Sequence, residues 1–223
     1  MTNLKSALIV GATGLVGTEL LKILLTESKY ASVKVLTRRK LPMTNAKLEQ
    51  IITDFDQLYQ YQQHFQVDDV YCCLGTTIKT AGSQQAFKKV DFAYPLELAK
   101  LTKASGAQKF FIITAMGADR NSKFFYNRVK GEIEEELKNI EFPTLHIFRP
   151  SLLLGERKEF RLGEKIGVFL SPVLALLMIG PLRKYKPIHA RDVAMAMYQT
   201  SKMSESGCFT HESNEIQSFS NIV

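Results

Sequence analysis

No stretch of this sequence is apolar for long enough to cross a bilayer. The longest, IGVFLSPVLALLMIG at 166–180, carries a serine and a proline, and a span needs about 20 residues. The start, MTNLKSALIVGATG, offers only four consecutive apolar residues, Ala7 to Val10, too few for the core of a secretory signal. A cytoplasmic chain without a membrane span is the expectation. Cysteine is scarce as well. Cys72 and Cys73 are neighbours, and Cys208 stands far from them. Three thiols, two of them adjacent on an expected buried strand, do not make a disulfide framework. They read as small apolar residues in a reducing compartment. The histidines, at 64, 146, 189 and 211, stand alone without metal-ligand spacing, so no metal is expected. Lys and Arg outnumber Asp and Glu by 29 to 22. The excess is dispersed, with no stripe of interleaved aromatics, so nucleic acid is not expected as a partner. A small polyanionic ligand would use part of it.

What is present is a core and an alternation. Hydrophobic residues make up 45% of 223, enough for one sizeable domain. Strand-like runs end at Val10, Thr37, Thr53, Gly75, Thr114 and Arg149, separated by helix-like segments. Among these, 84–104 reads as one long helix in which Pro95 forces a kink or an early break, and Gly106 as its stop. Asn121 or Ser122 is the expected cap of the helix that follows the fifth strand. HARDVAMAMYQTSK, from His189, reads as a late helix, with Asp192 complementing the helix terminus. Such alternation predicts an α/β, doubly wound parallel sheet of Rossmann-like type. A single domain is expected over 1–223, with 151–223 as an extension on the substrate side. The apolar run 166–180 must bury against the core, a partner subunit or an apolar ligand; a homo-oligomer is therefore left open.

The first helix is preceded by LIVGATGLVGTELL, with Gly11, Gly14 and Gly17 at three-residue spacing. Three glycines between a buried strand and an amphipathic helix suit a pyrophosphate. Bare backbone turns tightly and approaches it, and the helix start presents N–H groups and a positive dipole end. Thr13, Leu15 and Val16 belong to the same loop and helix start. Read blandly, the segment is a strand-to-helix turn with incidental glycines. About 20 residues further on, this fold usually places an acid for the adenosine ribose. None stands there. The second strand ends VLTRRK, and the guanidinium forks of Arg38 and Arg39 suit a phosphate, which favours NADP(H). The alternative is a solvated charge run. Asp54, with Phe55 beside it, is a candidate adenine contact. Leu74, Gly75, Thr76 and Thr77 follow the fourth strand, where the middle of the cofactor would pass. Arg149 and Pro150 follow the sixth, beside the expected nicotinamide end.

In IITAMGADRNSKFFYNRVKGE, Tyr126 and Lys130 are four residues apart and so share a helix face. A phenol has a pKa of about 10, too high for proton exchange at neutral pH, and a nearby ammonium lowers it. The same spacing also occurs by chance on ordinary amphipathic helices.

Taken together, GATGLVG (11–17), CLGTT (73–77), KVDFAYP (89–95), TAMGAD (114–119), YNRVKGEIE (126–134), RPSLLLGER (149–157) and HARDVAMAM (189–197) resemble the short-chain dehydrogenase/reductase superfamily. The resemblance is closest to its atypical branch, that of the HIV Tat-interacting protein and small bacterial NAD(P)H oxidoreductases. It implies a Rossmann-like protein binding NADP (NADPH), with Tyr126 as general acid/base and Lys130 tuning it and holding the nicotinamide ribose. The superfamily's serine at the end of the fifth strand falls on Ala115, which has no hydroxyl. Thr114 is the candidate substitute for polarising the substrate carbonyl, with Thr77 or Lys79 as alternatives. Three functions follow: an NADP-dependent oxidoreductase of a small carbonyl or alcohol, a non-catalytic NADP(H) sensor that binds a protein partner, or a nucleotide-sugar epimerase/dehydratase-like enzyme. His189 is a lesser candidate for a substrate contact.

Overall fold

The computed structural model describes residues 4–155 and 185–220; the apolar run 166–180 lies outside them. The chain begins with β1 (Lys5–Val10), α1 (Leu15–Thr26), β2 (Tyr30–Thr37), β3 (Leu48–Ile52), a 3-10 segment (Phe55–His64) and β4 (Asp69–Cys72). Then come α2 (Ile78–Ala81), α3 (Gln84–Lys88), a π-turn (Lys89–Ala93), α4 (Tyr94–Ala104), β5 (Lys109–Ile113), α5 (Phe125–Lys138) and β6 (Thr144–Arg149). After these stand β7 (Leu153–Leu154), β8 (Ile188–His189), α6 (Ala190–Ser201), β9 (Gly207–Glu212) and α7 (Ser213–Ser220). Among the described residues the main sheet has the order β3-β2-β1-β4-β5-β6-β9, and every pairing in it is parallel. This is the doubly wound α/β architecture that the alternation predicts.

The first strand shows why its sequence is apolar without a break. Ala7 and Ile9 face one core, shared with Leu20, Leu21 and Leu24 of α1 and Val193 and Met197 of α6. Leu8 and Val10 face the other, shared with Leu98 of α4 and Ile133 and Leu137 of α5. Strand side chains alternate between faces, and both faces of this parallel sheet are covered, so no polar position remains. Burying each of the three α1 leucines stabilises the fold by about 1.5–3 kcal/mol.

The segment 84–104 is not one helix. Pro95 sits in the first turn of α4 and has no N–H to give the carbonyl four residues back. The chain instead closes a five-residue bond, from the Tyr94 N–H to the Lys89 carbonyl. The break therefore precedes the proline and takes the form of a π-turn. Gly106, at φ +95°, ends α4 as predicted, with the Ala107 N–H bonded to the Thr102 carbonyl at 3.0 Å. Neither Asn121 nor Ser122 caps α5. The N-cap is Phe124, which makes no side-chain cap bond. The Ser122 hydroxyl accepts the Phe124 N–H at 3.2 Å instead. The helix is held from its flank: a Cβ on Gly131 would lie 2.1 Å from the Arg120 nitrogen, so the 119–120 loop packs directly on the α5 backbone.

Strand β9 and helix α7 are not predicted by the pattern, because GCFTHE has no apolar run and only one of its six residues is buried. What docks β9 on β6 includes a buried pair, His146 Nδ1 to His211 Nε2 at 2.9 Å, with Phe111 and Phe209 stacked on His146. Burial, then the charges of His211 and Lys109, hold His146 down at about 3. Burial lowers His211 to about 4. In the unfolded chain both return toward 6.5. Below that pH the unfolded state takes up protons that the folded state refuses, so this pair favours folding above pH 6.5 and loses that contribution as pH falls toward 4. The melting temperature is expected to drop between pH 6.5 and 4, more shallowly in His146→Phe; parallel slopes in calorimetric scans would contradict this account.

Candidate active site

Strand β1 is hydrogen-bonded to β2 on one side and β4 on the other, and the chain winds away from it in both directions. Ligand crevices in such sheets open beyond the carboxyl ends of the strands at this point. The glycine loop stands there, and two of its glycines are sterically required. Gly11 has φ +84°, and a Cβ on it would lie 2.5 Å from the Cys73 carbonyl. A Cβ on Gly17 would lie 2.2 Å from the Gly11 carbonyl oxygen. Gly14 is the N-cap of α1, and no side chain caps that end. The turn is tied by the Thr18 hydroxyl donating to the Ala12 carbonyl at 2.9 Å.

This loop lines a cleft of ≈ 750 Å³. Of the residues singled out in the sequence, Thr13, Gly14, Leu15 and Val16 line it from the loop and the start of α1. Leu74, Gly75 and Thr76 line it from beyond β4, and Thr114, Tyr126 and Lys130 from β5 and α5. His189 is there too, at the start of α6, with Arg191.

Tyr126 and Lys130 share a face of α5, as the spacing predicts, but Lys130 has a partner that the spacing does not reveal. Its ammonium is 2.7 Å from Asp91 Oδ1, and both side chains are buried. The second oxygen, Asp91 Oδ2, accepts the Thr76 N–H at 2.9 Å. Burial works against the charge on Lys130, but the Asp91 carboxylate, with Tyr126, outweighs it and raises the ammonium above its usual range. The Tyr126 ring lies against Phe87, with centroids 5.4 Å apart.

One turn beyond Lys130, Glu134 is also buried. Thr114 donates its hydroxyl hydrogen to Glu134 Oε1 at 2.6 Å. Arg149 Nε donates to both Glu134 oxygens at 3.1 and 3.2 Å, and its Nη1 donates to Glu212 at 3.3 Å. In this arrangement the Thr114 hydrogen faces Glu134, and the Arg149 guanidinium belongs to the β6–α5–β9 seam. Arg149 and Pro150 do not line the cleft. Ser151, which follows them, bonds to Ser213 at the start of α7.

Arg38, Arg39, Asp54, Phe55 and Thr77 are not among the residues that line the cleft. Arg38 and Arg39, at the end of β2, are exposed, and among the described residues no carboxylate pairs with either. The Asp54 carboxylate accepts the Asp56 N–H at 3.0 Å as a helix cap. Phe55 is buried, its ring 5.5 Å from that of Tyr94. Thr77 caps α2, accepting the Thr80 N–H at 3.1 Å and donating to the Thr80 hydroxyl at 2.9 Å.

Sequence reasoning missed Asp91 and Glu134. For Glu134 a signal existed: 126, 130 and 134 repeat at intervals of four, which lines them up on one helix face. For Asp91 none did, because its direction is set by the π-turn.

The parallel strand order, the glycine loop at the β1/β4 crevice and a helix-borne Tyr/Lys pair on the same cleft define the fold of an atypical short-chain dehydrogenase/reductase. Within that class the chain belongs to the HIM1 family, whose profile matches residues 25–170. It is similar to protein HTATIP2 of Rattus norvegicus, 41% identical over 72% of this chain and 67% of that protein. It is also similar to the mitochondrial protein FMP52 of Candida albicans, 33% identical over 84% of each. Among solved structures, MoeE5 in complex with UDP-glucose and NAD matches with a TM-score of 0.68 at 15% identity, covering 96% of this chain and 80% of that one. The UDP-glucose 4-epimerase of Thermotoga maritima matches with 0.69 at 15%, covering 96% and 80%. These two likenesses concern the fold. The family names correct one expectation, the cytoplasmic location: several fungal relatives are named as mitochondrial proteins, and their names point to that organelle instead.

The crowding in the loop separates its glycines. A Cβ on Gly14 would meet the Gly11 carbonyl oxygen at 3.3 Å, a contact relieved by a few tenths of an ångström. Gly17→Ala is expected to cost about 1–3 kcal/mol through overpacking, and Gly14→Ala less. Urea midpoints of the two variants decide this, and equal midpoints would refute the steric account.

Proposed function

We propose that the protein is an NADP(H)-dependent oxidoreductase acting on a small carbonyl compound or its alcohol. The observation that carries this reading is that Tyr126 and Lys130 line the same cleft as the glycine loop. That loop suits the pyrophosphate of a dinucleotide. Its backbone has no room for a Cβ at Gly11 or Gly17, and the start of α1 offers N–H groups with no side-chain cap in front of them, as anion binding requires. Arg38 and Arg39 follow directly on β2, the strand next to β1, with no carboxylate partner among the described residues, free to bind the phosphate on adenosine. The bound nicotinamide supplies or accepts the hydride.

The chain's own residues handle the proton. Tyr126 donates its hydroxyl hydrogen to the carbonyl oxygen on reduction and takes one back from the alcohol on oxidation. Lys130, kept charged by Asp91, faces the phenol and stabilises the anion it leaves. Burial of the Lys130–Asp91 pair keeps water from screening that effect.

One observation favours a second reading, in which NADP(H) binds without turnover and the protein reports the cofactor pool to a protein partner. Ala115 has no hydroxyl, and the Thr114 hydrogen is donated to Glu134. The end of β5 thus presents no side-chain donor to a substrate carbonyl, a loss worth about 10²–10³ in rate.

Calorimetry is expected to show NADPH binding about tenfold or more tighter than NADH, the scale of one charge-assisted bond. Arg38→Ala with Arg39→Ala should remove the difference; equal affinities in the unmutated protein exclude the NADP(H) assignment. A carbonyl panel with NADPH then separates the two readings. Turnover that falls about a hundredfold or more in Tyr126→Phe supports the enzyme, and tight binding with no turnover supports the sensor.

A further inference from the structure

The charged side chains of the cleft match one another, with one left over. Glu19, Lys22, Asp91, Lys130 and Arg191 line it. Lys22 holds Glu19 at 2.7 Å, and Lys130 holds Asp91 at 2.7 Å, so both carboxylates are used. Arg191 is exposed, and among the described residues no carboxylate pairs with it. Its position is fixed by close packing. A Cβ on Gly155 would lie 3.0 Å from Leu15 Cδ2 and 3.7 Å from Ala190 Cβ. The end of β7, the start of α1 and the start of α6 therefore converge, and Arg191 follows Ala190 directly. Helix α6 covers the same face of the sheet as α1, and α5 covers the other. A ligand in the cleft thus lies between a wall that carries Tyr126 and a wall that carries Arg191.

Arg191 also stands where a helix disfavours it. The first turn of a helix favours acids and penalises cations. Asp192 follows that rule, and Arg191 opposes it. An anion held against the guanidinium offsets that penalty. His189, exposed on the same wall, makes no side-chain cap bond to α6, and its ring is available as a second contact.

We propose that Arg191, with His189 beside it, is an anion subsite for the substrate, so that the carbonyl compound reduced at Tyr126 carries a carboxylate or a phosphate. The guanidinium fork suits both, because it meets two oxygens at once. The anionic groups of the cofactor have other seats, the pyrophosphate at the glycine loop and the adenosine phosphate at Arg38 and Arg39. The proposal rests on the nicotinamide reading of this cleft, but anion binding at Arg191 is measurable apart from it.

The direct readout is the NMR signal of the Arg191 Nε–H in protein saturated with NADPH, assigned by its loss in Arg191→Ala. Two probes are titrated, inorganic phosphate and 4-oxobutanoate, a small aldehyde that carries a carboxylate. The methyl ester of the second is the neutral control. At least one anion is expected to move the Arg191 signal saturably, with no response to the ester. Its affinity by calorimetry is expected to fall about tenfold or more in Arg191→Ala, the scale of one charge-assisted bond. A response to phosphate alone makes the substrate a phosphorylated carbonyl compound, and a response to the carboxylate alone makes it an oxo acid. A signal that neither anion moves overturns the proposal, and so does an equal response to acid and ester. NADPH binding weakened about tenfold in Arg191→Ala would overturn it as well, because the guanidinium would then belong to the cofactor. If 4-oxobutanoate is turned over, Arg191→Ala should raise its KM about tenfold or more with a smaller change in kcat, and leave the KM of the ester as it was. Absence of any NADPH uptake would instead remove the oxidoreductase reading, and the same titration of the free protein would still judge Arg191.

Discussion

The site depends on a place where backbone meets backbone with nothing between. Gly11 lies against the Cys73–Leu74 peptide, and Gly17 lies against the Gly11 carbonyl. These two approaches let β1 turn at once into α1 while the chain leaving β4 crosses beside it. A single methyl at position 11 or 17 would separate these segments, widening the crevice between β1 and β4 and carrying the start of α1 away from it. The cleft's shape is therefore set by absent side chains, and its electrostatics by the end of a helix that no side chain caps.

The opposite wall is built on different physics. Helix α5 presents Tyr126, Lys130 and Glu134 at intervals of four, and the two charged members are each tied to another element. Lys130 meets Asp91, and Glu134 meets Thr114 and Arg149. Taking such groups out of water is costly, and their attraction in a poorly screened interior offsets the cost only when geometry is good and the remaining oxygens are satisfied. Here they are: Asp91 also receives Thr76, and Glu134 also receives Thr114. Breaking one such pair by removing a partner costs about 3–5 kcal/mol. Apolar packing of Ile133 and Leu137 fixes how deep α5 sits; the ionic contacts fix its rotation about its own axis, and so where the Tyr126 hydroxyl points.

The parts of this structure that were legible in the sequence are those governed by local rules. Unbroken apolar runs at Ala7–Val10 and Phe110–Ile113 mark strands covered on both faces. The glycine triplet marks a turn without room for Cβ atoms, and Gly106 marks a helix end. What was not legible depends on partners distant in the chain. Edge strand β9 has no apolar run and is recognisable only beside β6, where His146 meets His211. The Phe124 start of α5 carries no capping side chain, so the helix begins where the 119–120 loop lets it. Asp91 looks like one more surface acid in KVDFAYP, because a regular helix through 84–104 would not foretell which way it points. Thr114 shows its hydroxyl in the sequence, but the partner that takes its hydrogen, Glu134, lies 20 positions later.

The π-turn before Pro95 has a consequence for how this sequence tolerates length changes. The five-residue closure from Lys89 to Tyr94 accommodates one residue more than an unbroken α-helix would hold between the same ends. Deleting a residue between 89 and 94 would relax the bulge into ordinary helix without shortening the scaffold much. It would also re-aim the residues inside the bulge by up to one helical position, about 100°, while the helix on either side keeps its phase. A carboxylate moved by that angle leaves an interior ammonium behind, so the spacing of these few residues is constrained by a contact 39 positions away in the chain.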